Sequence, residues 1–334
     1  MVFVTGANGM LGSQLVKYLI QQGEKVRALK RATSDLSLLK GYENQIEWIE
    51  GDVLDIASIE AGLQGVSKVY HVAAIISFVP SEKHKMFKTN IEGTANVVNC
   101  CLDAGIEKLL HVSSVAAFGT AKENVLLNEE AQWQEDEIRS GYAECKFLGE
   151  MEVWRGIAEG LKAVIVNPSL IVGPGWWNGT GPSAIFTKID QGLPTYTSGT
   201  NGYVDVRDVA NVMIQLMNSD ITNQRFIVSG ENLTYKEYFS MISVALGKAK
   251  PFINISNKAG FFISWFDSVR TAITGGQRLI TTEMVKVANK KMLFDNSKVC
   301  HALNYKFIPI AQTIEDTVAV YKACKQANKP FGSF

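Results

Sequence analysis

Val2-Phe3-Val4-Thr5-Gly6-Ala7-Asn8-Gly9-Met10-Leu11-Gly12 runs from an apolar, β-branched segment through three glycines into a stretch with helical periodicity. Val2–Thr5 reads as a buried strand. Leu11, Leu15 and Leu19, with Val16 and Ile20 beside them, recur on one helical face, and Gly23 supplies a stop signal. In a strand–turn–helix of this kind each glycine has a task. Gly6 permits the tight turn, Gly9 lets backbone N–H groups approach a pyrophosphate at the helix N-terminus, and Gly12 lets helix and strand pack closely. Asn8, Met10 and Leu11 belong to the same turn and are candidate cofactor contacts with the three glycines.

Outward from this turn the same rhythm continues. Lys25–Leu29, Ile46–Glu50, Val66–Val72, Leu109–Ser113 and Ala163–Asn167 read as strands, with helices over Lys85–Ala104 and Gly141–Glu159 between the later ones. Strands apolar on both faces, alternating with helices, predict an α/β fold: a Rossmann-type doubly wound parallel sheet of about seven strands. After Pro168 the pattern loosens. The segment from Gly173 to Pro182 is turn-rich, Tyr203–Val206 and Arg225–Val228 read as strands joined by the helix Asp208–Met217, and Tyr235–Leu246, Ala259–Thr274 and a segment opened by Pro309 read as helices. The expected division is a dinucleotide-binding domain over 1–172, its sheet completed by about 203–229, and a smaller substrate-binding cap from 173–202 and 230–334.

Composition narrows the function. The 334 residues are 46% hydrophobic, which excludes a disordered chain. Thirty-three basic side chains balance thirty-three acidic ones, giving no electrostatic reason to expect nucleic acid or an anionic membrane as partner. Five scattered cysteines without ligand spacing indicate neither a disulfide framework nor zinc, so no metal is expected. The N-terminus lacks a signal-peptide pattern. The longest apolar cluster, Ala259 to Phe266, falls far below the ~20 residues of a membrane span, so the expectation is a soluble, cytoplasmic protein with reduced thiols.

Tyr142-Ala143-Glu144-Cys145-Lys146 places a phenol and an ammonium four residues apart, on one face of a helix. Lys146 is expected to reach a cofactor ribose and to depress the pKa of Tyr142, suiting it to general acid–base work. The strand Leu109–Ser113 is followed by a second serine, Ser114. His71, His84, His111 and His301 show no ligand pairing; His71 and His111 read as core or supporting residues. Cys145 reads as a small buried hydrophobe.

The glycine spacing, Gly-x-x-Gly-x-x-Gly, resembles the extended short-chain dehydrogenase/reductase superfamily, also described as NAD-dependent epimerases/dehydratases. Gly51-Asp52, His71-Val72-Ala73-Ala74, Asn90-Ile91-Glu92-Gly93-Thr94 and Tyr203–Ala210 are similar to further landmarks of that family, so the resemblance covers most of the chain. It implies Ser114, five residues before Gly119, as the catalytic serine beside Tyr142 and Lys146, with Ser113 in a minor role and Asn90 in a supporting one. It also implies Asp52, Val53, Ala73, Ala74, Pro168 and Leu170 as cofactor contacts. The second strand ends Lys30-Arg31, where NAD-using members carry an acidic residue, so the implied cofactor is NADP (NADPH), its 2′-phosphate met by Lys30 and Arg31.

Within the superfamily the chain resembles the dihydroflavonol 4-reductase and cinnamoyl-CoA reductase branch. Leu170 and Asn201 stand where sugar-nucleotide enzymes place an asparagine and an arginine on the diphosphate. Trp176, Trp177, Phe186 and Phe261–Phe266 suggest a cap for an apolar substrate, cap core or a dimer surface being the other reading, and Ser77-Phe78 an edge of its pocket. The implied activity is an NADP(H)-dependent reductase acting on a carbonyl or alcohol. The alternatives are a nucleotide-diphosphate-sugar epimerase or dehydratase with bound NAD(P), and a non-catalytic NADP sensor. For assembly the resemblance implies a homodimer through the helices 85–104 and 141–159, or the monomer common among plant reductases.

Overall fold

The computed structural model describes residues 1–119, 125–133, 140–177, 181–256, 260 and 288–334. In chain order the first elements are β1 (Val2–Thr5), α1 (Met10–Gln21), β2 (Val26–Lys30), β3 (Ile46–Glu50), α2 (Ile56–Leu63), β4 (Lys68–His71), α3 (Lys83–Phe87), a π-helical turn (Lys88–Glu92), α4 (Gly93–Asp103) and β5 (Lys108–Val112). Next come β6 (Leu126–Leu127), α5 (Gly141–Ala158), β7 (Ala163–Pro168), β8 (Leu170–Val172), α6 (Ala184–Asp190), β9 (Thr195–Tyr196), β10 (Thr200–Asp205) and α7 (Val206–Asn218). β11 (Gln224–Val228), β12 (Glu231–Thr234), α8 (Tyr235–Leu246), β13 (Ile253–Asn254), β14 (Leu293–Phe294), α9 (Ser297–Leu303) and α10 (Ile310–Gln326) follow, with short 3-10 turns such as Val115–Phe118 between elements.

Seven strands form one parallel sheet in the order β11-β7-β5-β4-β1-β2-β3. Side chains of β1, β5 and β7 are buried on both faces, because helices cover each side. α1 and α7 pack Leu15, Val16, Met213 and Leu216 on one face; α2, α4 and α5 pack Ile59, Val97, Val98 and Val153 on the other. Each fully buried aliphatic side chain contributes ~1.5–3 kcal/mol relative to exposure. Chain order reverses between β1 and β4, and their carboxyl ends, Thr5 and His71, pair in register. A crevice at such a reversal is where open α/β sheets bind ligands.

Two elements differ from the sequence expectation. The helix expected over 85–104 is divided by the π-helical turn at Asn90, whose wider turn lets that side chain leave the helix and bind the backbone of Ile75. The strand expected at Tyr203–Val206 does not join the main sheet. β10 pairs with β8 in parallel and β12 in antiparallel, as a separate three-stranded sheet. That sheet, α6, α8 and α10 enclose a second core holding Trp177, Phe186, Tyr203, Tyr238, Ile314 and Tyr321. Trp177 meets Tyr321 edge-on at 5.1 Å and Phe186 at 6.4 Å. These two rings, expected to favour an apolar substrate, are therefore packing residues. The expected aromatic cluster Phe261–Phe266 and most of the expected helix Ala259–Thr274 lie outside the described residues. No described helix is long and apolar enough to cross a membrane.

Candidate active site

The glycine turn closes inward at two positions and opens outward at the third. Gly6 has φ +71°, and a Cβ there would lie 2.6 Å from the Ala73 nitrogen. A Cβ on Gly12 would collide with the Gly6 carbonyl, whereas one on Gly9 would meet the Gly6 oxygen at 3.4 Å and nothing nearer. α1 has Gly9 as its N-cap, so it lacks a side-chain cap, and it has no acidic residue in its first turn. Its first N–H groups and its dipole are left for an anion, and a side chain at Gly9 would obstruct the approach. The cradle thus fits a dinucleotide pyrophosphate, beside Asn8, Met10 and Leu11 at the turn and helix start.

Beneath the turn lies a hydrogen-bond relay with one self-consistent proton arrangement. Thr94 Oγ1 donates to the Asn90 carbonyl at 2.8 Å, so toward His71 Nε2, 3.0 Å away, it accepts. Nε2 therefore carries the proton. Thr5 Oγ1 accepts from the Ala73 N–H at 3.2 Å and donates to His71 Nδ1 at 2.8 Å. Burial, with the Lys146 charge second, pushes the His71 pKa down to about 3, so the ring stays neutral. His111 lies beside it with ring centroids 5.1 Å apart, and is likewise depressed by burial, His71 and Lys146. The relay ties the Gly6 turn to the segment Ala73-Ala74. Just beyond it, Asn90 exchanges two 2.8 Å hydrogen bonds with the Ile75 backbone and reaches Cys145 Sγ at 3.2 Å.

At the end of β2 the two basic residues have different surroundings. Lys30 is half-buried and pairs with Glu50 of β3 at 3.9 Å. Arg31 is exposed and, among the described residues, makes no ion pair. The loop that follows is fixed by Asp35, which accepts from the backbone and hydroxyl of Ser37 and from Trp176 Nε1 at 3.2 Å. Asn8 Nδ2 reaches the Asp35 carbonyl at 3.4 Å. Trp176 thus joins the loop after β8 to the loop after β2, a contact with no sequence signal. Asp52 caps its own turn through Leu54 N, and Val53 is buried against Gly93.

Ser114, Tyr142 and Lys146 come together where β5 ends. Ser140 caps α5 by accepting from Ala143 N at 3.0 Å, which presents Tyr142 in the first turn. Ser114 is half-buried and caps the turn Val115–Phe118. Burial pushes the Tyr142 phenol up to about 12, while the Ser114 side chain pulls the other way. Lys146 is buried and donates to the Val112 carbonyl at 2.8 Å; burial holds it down to about 8. The depression of the phenol expected from the sequence is thus outweighed by burial. The ring of Phe78 stands 5.9 Å from that of Tyr142, at the expected pocket edge.

Pro168 ends β7 and Leu170 opens β8, both at the carboxyl side of the sheet. Ser113, expected to be a minor neighbour, donates to buried Glu150 at 2.6 Å, and Asn167 Nδ2 donates to the same oxygen at 2.7 Å. Glu150 escaped the sequence reading; its position one turn beyond Lys146 was the available signal. Among the described residues no cluster of metal-ligating side chains occurs.

Comparisons with known proteins agree with this geometry. The model of the NAD dependent epimerase/dehydratase family matches residues 2–229. The chain is 32% identical to sterol demethylase protein B of Methylococcus capsulatus over 251 residues, covering 74% of this chain and 75% of the relative. It is 30% identical to cinnamoyl-CoA reductase 1 of Oryza sativa subsp. japonica over 258 residues, 72% of this chain and 75% of the relative. The crystal structure of gox2253 superposes with a TM-score of 0.84 at 30% identity, covering 97% of this chain and 98% of that one. A parallel seven-stranded sheet, a glycine turn at its point of reversal and a match over residues 2–229 lead to one assignment: this chain belongs to the NAD dependent epimerase/dehydratase family.

Proposed function

We propose that the protein is an NADP(H)-dependent reductase acting on the carbonyl of a small, apolar substrate, reversible as an alcohol dehydrogenase. One observation carries the reading: the start of α5, which carries Tyr142, packs against the turn that Ser114 caps at the end of β5, with Lys146 one helical turn beyond and bonded to the Val112 carbonyl at 2.8 Å. Bound in the crevice, reduced nicotinamide supplies a hydride. The chain supplies the rest. Ser114 holds the substrate oxygen, and Tyr142, protonated at neutral pH because burial raises it to about 12, gives that oxygen its proton. Lys146 holds the ribose side of the cofactor, and the glycine turn with the start of α1 holds the pyrophosphate. The phenol regains its proton from solvent after turnover.

Support for NADP over NAD comes from exposed Arg31, which makes no ion pair among the described residues and can take a 2′-phosphate bidentately, with Lys30 adding charge partly offset by Glu50. Support for a reductase over a sugar-nucleotide enzyme comes from two uncharged positions. Leu170 offers no polar side chain, and Asn201 is engaged by Tyr235 and by the Gly202 N–H. A relative named cinnamoyl-CoA reductase points the same way. The test is titration with NADPH and NADH, followed by a panel of aldehydes and ketones monitored by loss of nicotinamide absorbance. Tighter NADPH binding and turnover of an apolar carbonyl are expected. Epimerisation of a nucleotide sugar without net cofactor consumption would replace this reading.

A further inference from the structure

We infer that Glu150 is a positioning residue, whose buried carboxylate sets the strand end Ser113–Ser114 and so acts on the reaction through Ser114. The inference rests on the reductase reading above. Glu150 lies one turn beyond Lys146 on α5 and is 2% exposed. Its two oxygens receive four donors. Oε2 accepts from Ser113 Oγ at 2.6 Å and Asn167 Nδ2 at 2.7 Å. Oε1 accepts from Arg225 at 3.1 Å and Trp154 Nε1 at 3.2 Å.

The first pair converges on the serine. Ser113 is its neighbour in the chain, and Asn167 Nδ2 also donates to the Ser114 carbonyl at 3.1 Å. The second pair steadies the carboxylate from behind. Arg225, on β11, donates to the carbonyls of Glu129 and Ala131 and lies over the Phe118 ring at 4.2 Å. Phe118 ends the short turn that Ser114 caps. One carboxylate thus joins α5, β5, β7 and β11 around the backbone that aims the Ser114 hydroxyl.

A carboxylate is suited to this place because all four neighbours are donors. Glutamine keeps the shape but turns one oxygen into an NH2 group facing donors, leaving buried groups unmatched. A buried ion pair is a weak source of net stability, so stability alone is a poor reason for this arrangement, whereas fixing a hydroxyl in a site is a sufficient one.

The test is a double-mutant cycle of Glu150→Gln and Ser114→Ala, with kcat and KM on the carbonyl reduced by the parent, NADPH affinity from fluorescence, and thermal unfolding of each variant. Measured at about pH 6, well below the value of about 8 at which Lys146 loses its charge, Glu150→Gln is expected to lower kcat by ~10-fold or more with KM and NADPH affinity within about twofold, and to cost less than about twofold once Ser114 is alanine. Equal losses in both backgrounds would show a role independent of Ser114 and overturn the inference while leaving the reductase reading in place. A parent that reduces no carbonyl would overturn both. Should Glu150→Gln fail to fold, Ser113→Ala removes one arm without stranding a charge, and the same cycle applies: a loss of kcat confined to the Ser114 background supports the inference, and a loss in both backgrounds overturns it.

Discussion

Lys146 donates to the carbonyl of Val112 at 2.8 Å, tying the helix that carries Tyr142 to the end of the strand that leads to Ser114. The bond is buried, and burial lowers the lysine to about 8, with Cys145 and Glu150 opposing the shift. The ammonium thus serves as a brace that aligns two candidate catalytic groups, and it titrates close to neutrality.

A pH dependence follows. Lys146 has a depressed pKa, so its charge is present below about 8 and lost as pH rises through that value. Tyr142 stays protonated until about 12. NADPH affinity is expected to be level at neutral pH and to fall above about 8, while alcohol oxidation, which needs the phenolate, rises with pH. Affinity and rate profiles in both directions check this, and Lys146→Met should remove the alkaline fall in affinity while weakening NADPH at every pH.

His71 gives the fold an acid sensitivity. Its folded pKa is about 3, below its ordinary value of 6.5, so between these limits the unfolded chain binds the extra proton. Stability therefore rises with pH across that window and is lost as pH falls through it, by ~1.4 kcal/mol per unit for this group. Urea unfolding at several acidic pH values should show the slope. His71→Asn should flatten it and lower stability at neutral pH, since Thr5 and Thr94 lose their partner.

Arg31→Ala is expected to weaken NADPH by ~2–3 kcal/mol, the size of a hydrogen-bonded charge pair, and to leave NADH nearly unchanged. Lys30→Ala should do less, because Glu50 already faces that ammonium. Calorimetric titration of both cofactors separates the two; equal losses for NADPH and NADH would remove Arg31 from the 2′-phosphate.

What could be read from sequence was local. The glycine turn, the buried strands and Tyr142 with Lys146 on one helical face follow from spacing within a few residues, and the structure sets Ser114 beside them. What could not be read depends on partners far apart in the chain. The His71 relay needs Thr5 and Thr94, and the Glu150 network needs Asn167 and Arg225, joined by sheet order. Trp177 and Phe186 look the same in sequence whether they line a pocket or fill a core; packing against Tyr321 and α10 makes them core. The π-helical turn at Asn90 carries no periodicity signal, because it exists to satisfy the Ile75 backbone.

The central claim is that Tyr142 protonates the substrate oxygen, and Tyr142→Phe tests it most directly, since this change deletes the hydroxyl and keeps the ring against Phe78. With the carbonyl substrate found by the panel, turnover is expected to fall by at least the ~100-fold typical of a lost general acid, with NADPH affinity changed little because Lys146 and the glycine turn remain. Near-normal turnover by this variant would contradict the account.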